Sequence, residues 1–295
     1  MTPAFLLHIF FNVMRKETKK AYLFLLPALV LSLVFSIYPA LSAVAESFLT
    51  ISNSGKVQGF AFLDNYRILF SDSSFLNALR NTMIFVLLFV PLNTFFTLLA
   101  ASLTRRKSRH SWSVEYIFFM PLAVSLSAYS LIMKELFRGK SSVLNNIFHT
   151  TLGGITTPWG AMLTLVVLGI FLDFGLDYIL LLCSFRSIDK SIIEAARMDG
   201  AGGRTLFYAI ELPQVIHTVL VTIFLAVKDA LLISAPVIIL TEGGPYRSTE
   251  TIMFYYYTEA FRSGNRAVQN ALSSIILYAV IIFMAVYAGR RKNEN

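Results

Sequence analysis

Hydrophobic residues fall along this chain in long unbroken runs, not in the alternating or every-third pattern of a water-soluble core. A bilayer core of roughly 30 Å takes about 20 apolar residues per helix. Six segments reach that length: Tyr22–Ala45, Asn81–Leu103, Val114–Met133, Ala161–Leu182, Val215–Leu240 and Asn270–Ala288. The pattern predicts an all-α integral membrane protein of six transmembrane helices. Ala4–Val13 is also apolar but too short to span; it reads as an interfacial segment, or as residues upstream of a start at Met14. It does not read as a cleaved signal, because Arg15, Lys16, Lys19 and Lys20 follow the apolar stretch and do not precede it.

Composition agrees. Hydrophobic residues make up 56% of the chain and charged ones only 14%, with a mean hydropathy of +0.66; soluble domains carry about a quarter charged residues. One cysteine, Cys183, excludes an internal disulfide framework. The histidines, His8, His110, His149 and His217, are scattered and form no metal set with it. The net charge of +8 is arranged by topology and does not form a nucleic-acid patch. Most of the basic residues fall between alternate spans: Arg15 to Lys20, Arg105 to Arg109, then Arg186, Lys190, Arg197 and Arg204, and finally Arg290, Arg291 and Lys292. The positive-inside rule therefore places both termini and these segments in the cytoplasm, and turns Glu46–Arg80, Lys134–Pro158 and Thr241–Gln269 outward. No internal repeat or separate soluble domain is visible. The division expected is a cytoplasmic N-terminal segment, 1–20, and one membrane domain over 21–295.

The longest polar interruption on the inner side runs over 183–213. Asp189 is placed to cap a helix from about Lys190 to Met198, since a carboxylate satisfies free backbone donors and suits the positive helix end. Gly200 lies where a left-handed terminating residue is wanted, and Gly202-Gly203 permit a sharp turn. A second helix from about Arg204 to Glu211 leads to Pro213, which punctuates the start of the fifth span. Ala195 and Ala196 leave a smooth face, with Glu194 as one charge at its edge.

The joint pattern Glu194-Ala195-Ala196, Asp199-Gly200-Ala201, Phe207, Ile210 and Leu212-Pro213 resembles the signature loop of ABC importer permeases, which seats this helix in a cleft of the ATPase subunit. His217 stands where many relatives have a second proline. Leu240-Thr241-Glu242-Gly243-Gly244-Pro245, Thr249-Glu250-Thr251, Tyr255-Tyr256-Tyr257 and Ala260-Phe261 resemble the carbohydrate-uptake branch, specifically the maltose- and glycerol-phosphate-type first permease. Leu26-Pro27, Tyr38-Pro39, Asp64-Asn65-Tyr66 and Asn81-Thr82 extend the likeness over nearly the whole chain from Ala21. The resemblance implies a type I ABC importer permease fold in the membrane of a prokaryotic cell. It implies a sugar, and in particular an oligosaccharide, as cargo. The partners it implies are a second permease, two ATP-binding cassette subunits and an extracytoplasmic solute-binding protein. Glu194, Ala195, Ala196, Arg197, Asp199 and Gly200 would couple to the ATPase, and Gly243, Gly244 and Pro245 would face the binding protein.

This chain is expected to catalyse nothing and to bind no cofactor or metal, with ATP and Mg used by the partner ATPase. It has no Gly-x-x-x-x-Gly-Lys-Ser/Thr phosphate loop: Gly139-Lys140-Ser141 has Lys134 where the first glycine would stand. The candidate substrate pathway rests on charges inside the spans. Asp173 and Asp177 are four apart and share a helical face. Inserting two central aspartates costs roughly 5–7 kcal/mol, about what the Leu, Ile, Val and Phe residues of that span return, so the carboxylates should face protein or water. Lys228 and Asp229 sit in the fifth span, and intramembrane ionisable groups point to a pathway or to a structural ion pair such as Asp177 with Lys228. Phe174 and Tyr178, with Phe171 and Phe224, offer aromatic faces for a sugar or plain packing. In the resembled family an amide commonly stands where Asp177 does. Two other classes compete. A proton-coupled secondary transporter would use Asp173, Asp177 and Asp229 but leaves the Glu194 loop unexplained; an intramembrane enzyme lacks a metal set or Ser/Lys dyad. A glycerol-phosphate-like solute is the alternative cargo.

Overall fold

The computed structural model describes residues 24–52, 56–105, 111–138, 154–263, 269–275 and 278. The described residues form two compact units, one from 1–69 and 263–295 and the other from Phe70–Arg262.

The first unit opens with α1, Phe24–Glu46, which is apolar and has no buried residue in its membrane-length stretch. Leu33–Ile37 within it is a π turn, and the Tyr38 amide bonds Leu33 O five residues back. Pro39 follows at once. A proline lacks an N–H and its ring clashes with the carbonyl four residues earlier; slipping the ladder by one residue just before it relieves both problems. The all-α expectation is corrected after α1. The chain forms an antiparallel hairpin, β1 (Leu49–Ile51) with β2 (Val57–Phe60), paired Leu49 to Phe60 and carrying a bulge between Thr50 and Ile51. Helix α2, Asp64–Ser71, clamps it: Asn65 Nδ2 donates to Ser47 O at 2.7 Å and Leu49 O at 3.0 Å, and Tyr66 OH meets Ser47 Oγ at 2.7 Å. Asp64-Asn65-Tyr66 is thus a clamp on the backbone.

The second unit is built on three long helices. Helix α3, Ser73–Thr104, starts where Asp72 accepts from the Ser74 amide; α6, Pro158–Ser187, starts where Thr157 accepts from the Gly160 amide. Both exceed the runs Asn81–Leu103 and Ala161–Leu182, because caps and polar first turns extend a helix beyond its apolar stretch. The third expected span, Val114–Met133, is not straight. It divides into α4, Ser111–Phe119, with a tight turn Met120–Ala123, and α5, Leu126–Leu136, bent by 99°. Pro121 enters the tight turn and Ser125 begins a new helix by accepting from the Ala128 amide.

After α6 comes α7, Lys190–Met198, then α8. Helix α8 runs Gly203–Leu232 with a π turn at Leu206–Glu211 directly ahead of Pro213, repeating the device seen before Pro39. The expected fifth span, Val215–Leu240, breaks at Ile233-Ser234, and α9, Ala235–Leu240, resumes with Pro236 in its first turn. Helix α10, Ile252–Thr258, is capped by Thr251. Four described helices are long and apolar enough to cross a membrane, and the bent α4–α5 pair makes up to five. Of the sixth expected span, Asn270–Ala288, only 270–275 and 278 are described, and they are helical. The N-terminal segment and Gly139-Lys140-Ser141 lie outside the described residues.

Two buried clusters hold this unit together. Phe85 and Phe89 of α3 stack on each other and pack with Leu165 and Leu168 of α6 and Ala226 and Ala230 of α8. Nearer the α7 end, Ala101, Tyr178, Leu181, Phe185, Val215 and Val219 form the second. Alanines at the crossings let the backbones approach where lipid supplies no hydrophobic drive.

Candidate functional site

Local chemistry builds α7. The Asp189 carboxylate accepts from the Ser191 amide at 2.9 Å, and that bond holds its carboxyl below the usual carboxylate range. At the other end Gly200 takes φ +84°, the Gly200 amide reaches Arg197 O and the Ala201 amide reaches Ala196 O. Those two bonds are a Schellman stop, and a side chain at Gly200 would be strained there although its Cβ would meet open space. No residue of α7 is buried. Ile193 rests against the Phe185 cluster. Glu194, Ala195, Arg197 and Asp199 face outward, with Ile192 and an 88%-exposed Met198 among them.

The platform beneath α7 joins the signature's Phe207 to ion pairs that the sequence did not show. The side chains of Arg105 and Glu211 pair at 2.9 Å, and the Arg105 guanidinium lies 5.7 Å from the Phe207 ring. Arg186 pairs with Glu115 at 2.5 Å and donates to Thr104 O, capping the end of α3. Glu211 belongs to the π turn, so the start of α8 is bonded to the end of α3 106 residues away in sequence. An arginine and a glutamate flanking apolar runs were the available signal; their pairing was not.

The intramembrane carboxylates separate. Asp173 and Asp229 line a cavity of about 280 Å³, bounded by Phe85, Phe89, Leu126 and the Ile233–Pro236 break. Both interruptions, at Ser125-Leu126 and at Ile233-Ser234, therefore border this space. Lys228 Nζ donates to Asp229 at 2.6 Å, and not to Asp177. Asp177, Tyr178 and Phe174 of the expected pathway do not line this cavity. Asp177 is buried and accepts from Asn93 Nδ2 at 2.7 Å; Tyr178 is fully buried, its hydroxyl 2.8 Å from Thr104 Oγ1; Phe174 stacks on Tyr178 and meets Phe118 at a tilt. Asp173 and Asp177 are one full turn apart, and only the first reaches the opening. Asn93 was missed, although an amide inside an apolar run was its signal.

At the other end of the unit, the loop after α9 is held by a dense network. Asn77 and Asn81 both donate to Arg247 O, at 2.9 and 2.8 Å, and Asn81 also donates to Glu250 O. Thr249 Oγ1 donates to Gly244 O, and Arg247 forks onto Glu250 at 2.7 and 3.0 Å. Gly243 takes φ +83°, and a Cβ there would stand 2.7 Å from the Phe254 ring. Gly243 and Gly244 line a hollow of about 380 Å³ with Glu242, Arg247, Glu250 and Tyr255; Pro245 follows them at the loop tip. Tyr255 OH donates to Asp72 at 2.6 Å, and burial together with the facing carboxylate pushes that phenol up.

No family model matches the chain. The lactose transport system permease protein LacF of Rhizobium radiobacter is 31% identical over 283 residues, 92% of this chain and 94% of LacF. The multiple sugar-binding transport system permease protein MsmF of Streptococcus mutans is 27% identical, covering 89% of this chain and 91% of its own. The sn-glycerol-3-phosphate transport system permease protein UgpA of Agrobacterium fabrum is also 27% identical, over 91% and 93%. Among solved structures, a bacterial ABC transporter involved in the import of the acidic polysaccharide alginate has a chain that superposes with a TM-score of 0.80 at 20% identity, over 96% of this chain and 99% of that one. The bacterial alginate transporter in complex with alginate pentasaccharide-bound periplasmic protein gives 0.78 at 19%, over 91% and 93%. The superpositions give the fold, and the likeness to LacF over almost the full length gives the family. The chain belongs to the ABC transporter permeases of the sugar and glycerol-phosphate transport group, as a non-catalytic, multi-pass membrane subunit.

Proposed function

We propose that this chain forms half of the translocation pathway of an ATP-driven, binding-protein-dependent importer of neutral oligosaccharides, and that it meets its ATPase through α7. The observation that carries the reading is α7 itself: a doubly capped helix with no buried residue, showing Ile192 and Met198 to the outside and standing on a platform of ion pairs. Exposed apolar side chains on a rigid short helix favour a protein partner with a complementary groove. Glu194, Ala195, Ala196, Arg197, Asp199 and Gly200 make up that contact. Both termini then lie in the cytoplasm, by the basic clusters that flank the spans.

The working assembly is this chain, a related second permease, two ATPases that use ATP and Mg, and an external solute-binding protein. Closure of the ATPases moves α7. Because α8 is continuous from Gly203, the motion reaches Lys228 and Asp229, and small rigid rotations of packed helices switch the access. Asp173 and Asp229 set the polarity of the cavity. Carboxylates accept hydrogen bonds from sugar hydroxyls and repel phosphate or uronate, which favours a neutral cargo over a glycerol-phosphate-like one.

Gentle detergent purification of the tagged chain, with mass spectrometry of what accompanies it, tests the reading. A P-loop ATPase and a second permease should accompany the wild type, and Glu194→Arg should lose the ATPase alone. A chain that purifies by itself, unchanged by the substitution, would overturn it in favour of an ion-coupled transporter.

A further inference from the structure

The hairpin that follows α1 shows an apolar face that nothing in the transport reading uses. Along a strand, residues three apart point to opposite faces. The register undoes this for Val57 and Phe60. Val57 stands opposite Ile51 and Phe60 opposite Leu49, and residues directly opposite share a face, as do Leu49 and Ile51, two apart on one strand. The bulge thus gathers Leu49, Ile51, Val57 and Phe60 on one side and leaves Thr50 and Gly59 on the other. Phe62 extends the apolar side, its ring edge-on to Phe60 at 4.7 Å, from a backbone at φ +48°. Val57, Phe60, Phe62 and Leu63 are each 60% to 73% exposed. A lone two-stranded hairpin is marginal in water, and one with a bare apolar side needs a cover.

We infer that this hairpin is a foot seated in the lipid headgroup layer at the end of α1, with Val57, Phe60, Phe62 and Leu63 dipped toward the acyl chains. Its height on the bilayer favours lipid over a protein as the cover. Helix α1 has 23 residues and none buried in its membrane-length stretch. At 1.5 Å per residue it rises about 34 Å, slightly more than a hydrocarbon core of roughly 30 Å. Glu46, its last residue, therefore marks the water side, and β1 begins three residues later. The clamp on the hairpin holds it at that level: Asn65 bonds Ser47 O and Leu49 O, and the Ala61 amide donates to Phe48 O at 2.8 Å. The apolar side is thus continuous with the unburied, membrane-length surface of α1. An element with one apolar and one polar side at that depth is covered by the bilayer itself. Lys56 and Arg67 are exposed, carry no ion pair among the described residues, and are free to reach lipid phosphates. Asp64, exposed on α2 with Arg67, offsets one of these charges, so the apolar side carries the seating. Such a foot requires α1 in the bilayer and no importer partner.

The test places the full chain, with the subunits that purify with it, in nanodiscs of phosphatidylethanolamine and phosphatidylglycerol. A nitroxide is attached in turn at Phe62→Cys and at Thr50→Cys, with Cys183→Ser removing the native thiol. Power saturation of the spin resonance by oxygen and by a nickel chelate reads depth. The Phe62 label should lie about 5–10 Å into the headgroup and acyl boundary, open to oxygen and closed to nickel, while the Thr50 label stays open to nickel. A Phe62 label open to nickel puts the face in water and overturns the foot. One closed to both reagents puts it against protein, whether the second permease or another subunit, and overturns it equally. A Thr50 label as deep as the Phe62 label overturns the two-sided hairpin. Hydroxyl-radical footprinting of the unaltered chain in the same nanodiscs needs no variant: Phe60 and Phe62 should be oxidised several-fold less than the exposed Tyr246, and equal oxidation overturns the foot. Loss of the ATPase and second permease from the preparation removes the importer reading and leaves the depth result as it stands.

Discussion

Asn93 and Asp177 face each other across α3 and α6, and their pairing gives a sharp test of how this unit is held. Both side chains are buried, at 0% and 2% exposure, and the Nδ2 to Oδ2 distance is 2.7 Å. Asn93 Oδ1 has no hydrogen-bond partner among the described residues. Asn93→Leu keeps the branched heavy-atom skeleton and removes the donor. A bond to a charged acceptor contributes about 1.5–3 kcal/mol, and stranding that acceptor costs at least as much as the bond. Losing the orphan Oδ1 returns about 1 kcal/mol, so the net loss is about 2 kcal/mol. Asp177→Leu strands the Asn93 amide instead and costs about as much. The double variant removes both partners and should lie close to the wild type. Thermal unfolding in a mild detergent reads this directly, since about 2 kcal/mol corresponds to roughly 4–8 °C in a unit of this size. With the double variant near wild type, the cycle should show a coupling of about 4 kcal/mol, the sum of the two single losses. A double variant as unstable as the two singles combined would refute the argument and make Asp177 a group that needs water or cargo.

Glu211→Ala leaves Arg105 without its carboxylate; breaking a buried pair costs about 3–5 kcal/mol, and the 18% exposure of Arg105 puts this case at the lower end, readable as a fall in unfolding temperature that Arg105→Met partly restores. Gly200→Val forces a branched residue to φ +84° and should cost about 1–2 kcal/mol, seen as faster hydrogen exchange over 195–201 and weaker ATPase recovery, whereas Gly200→Asn stays near wild type. Asn81→Ala removes two bonds to loop carbonyls; exchange over 247–252 should rise about tenfold or more with α7 unaffected. Burial alone would raise the Asp72 carboxyl, but the Tyr255 hydroxyl, the Ser74 amide and nearby Arg247 outweigh it and hold it below 3.8. Its stabilisation is therefore whole above that value and disappears as pH falls through the lower folded value. Exchange at the start of α3 should rise only in strong acid, and Asp72→Asn should abolish that pH dependence.

What was legible in the sequence was local. Asp189, Gly200 and the residues between them define α7 because a cap, a short helix and a left-handed stop are each decided within a few residues, and the helix does run Lys190–Met198. Apolar run length located four membrane-length helices among the described residues, or up to five with the bent α4–α5 pair, for a similar reason. The failures are long-range or depend on geometry. Val114–Met133 reads as one run because hydropathy is blind to direction; Pro121 and Ser125 were visible but do not state an angle of 99°. Asp177 and Asp173 look equivalent at a spacing of four, and the spacing does not show that Asp177 pairs with an asparagine 84 residues away. The same holds for Arg105 and Glu211. The hairpin at Leu49–Phe60 was lost inside a segment read only as facing outward, because Gly59 and Phe60 cut short the alternation that Lys56, Val57 and Gln58 begin.

The π turn ahead of Pro213 has a further consequence. A π turn is an α-helix carrying one residue more than its ladder needs, and each residue of an α-helix advances the chain by about 100° around the axis. The compass bearing of the Gly200 turn relative to the Asp229 side of α8 is therefore set by the residue count of Leu206–Glu211 and its bulge together. A single codon deleted there, with the ladder restored, leaves the two flanks in phase, because the bulge has already absorbed the extra residue. The same residues drawn back into a regular ladder would swing everything before them by about a quarter turn. The bearing of the Gly200 turn thus survives the loss of the surplus residue but not the loss of the bulge while that residue remains.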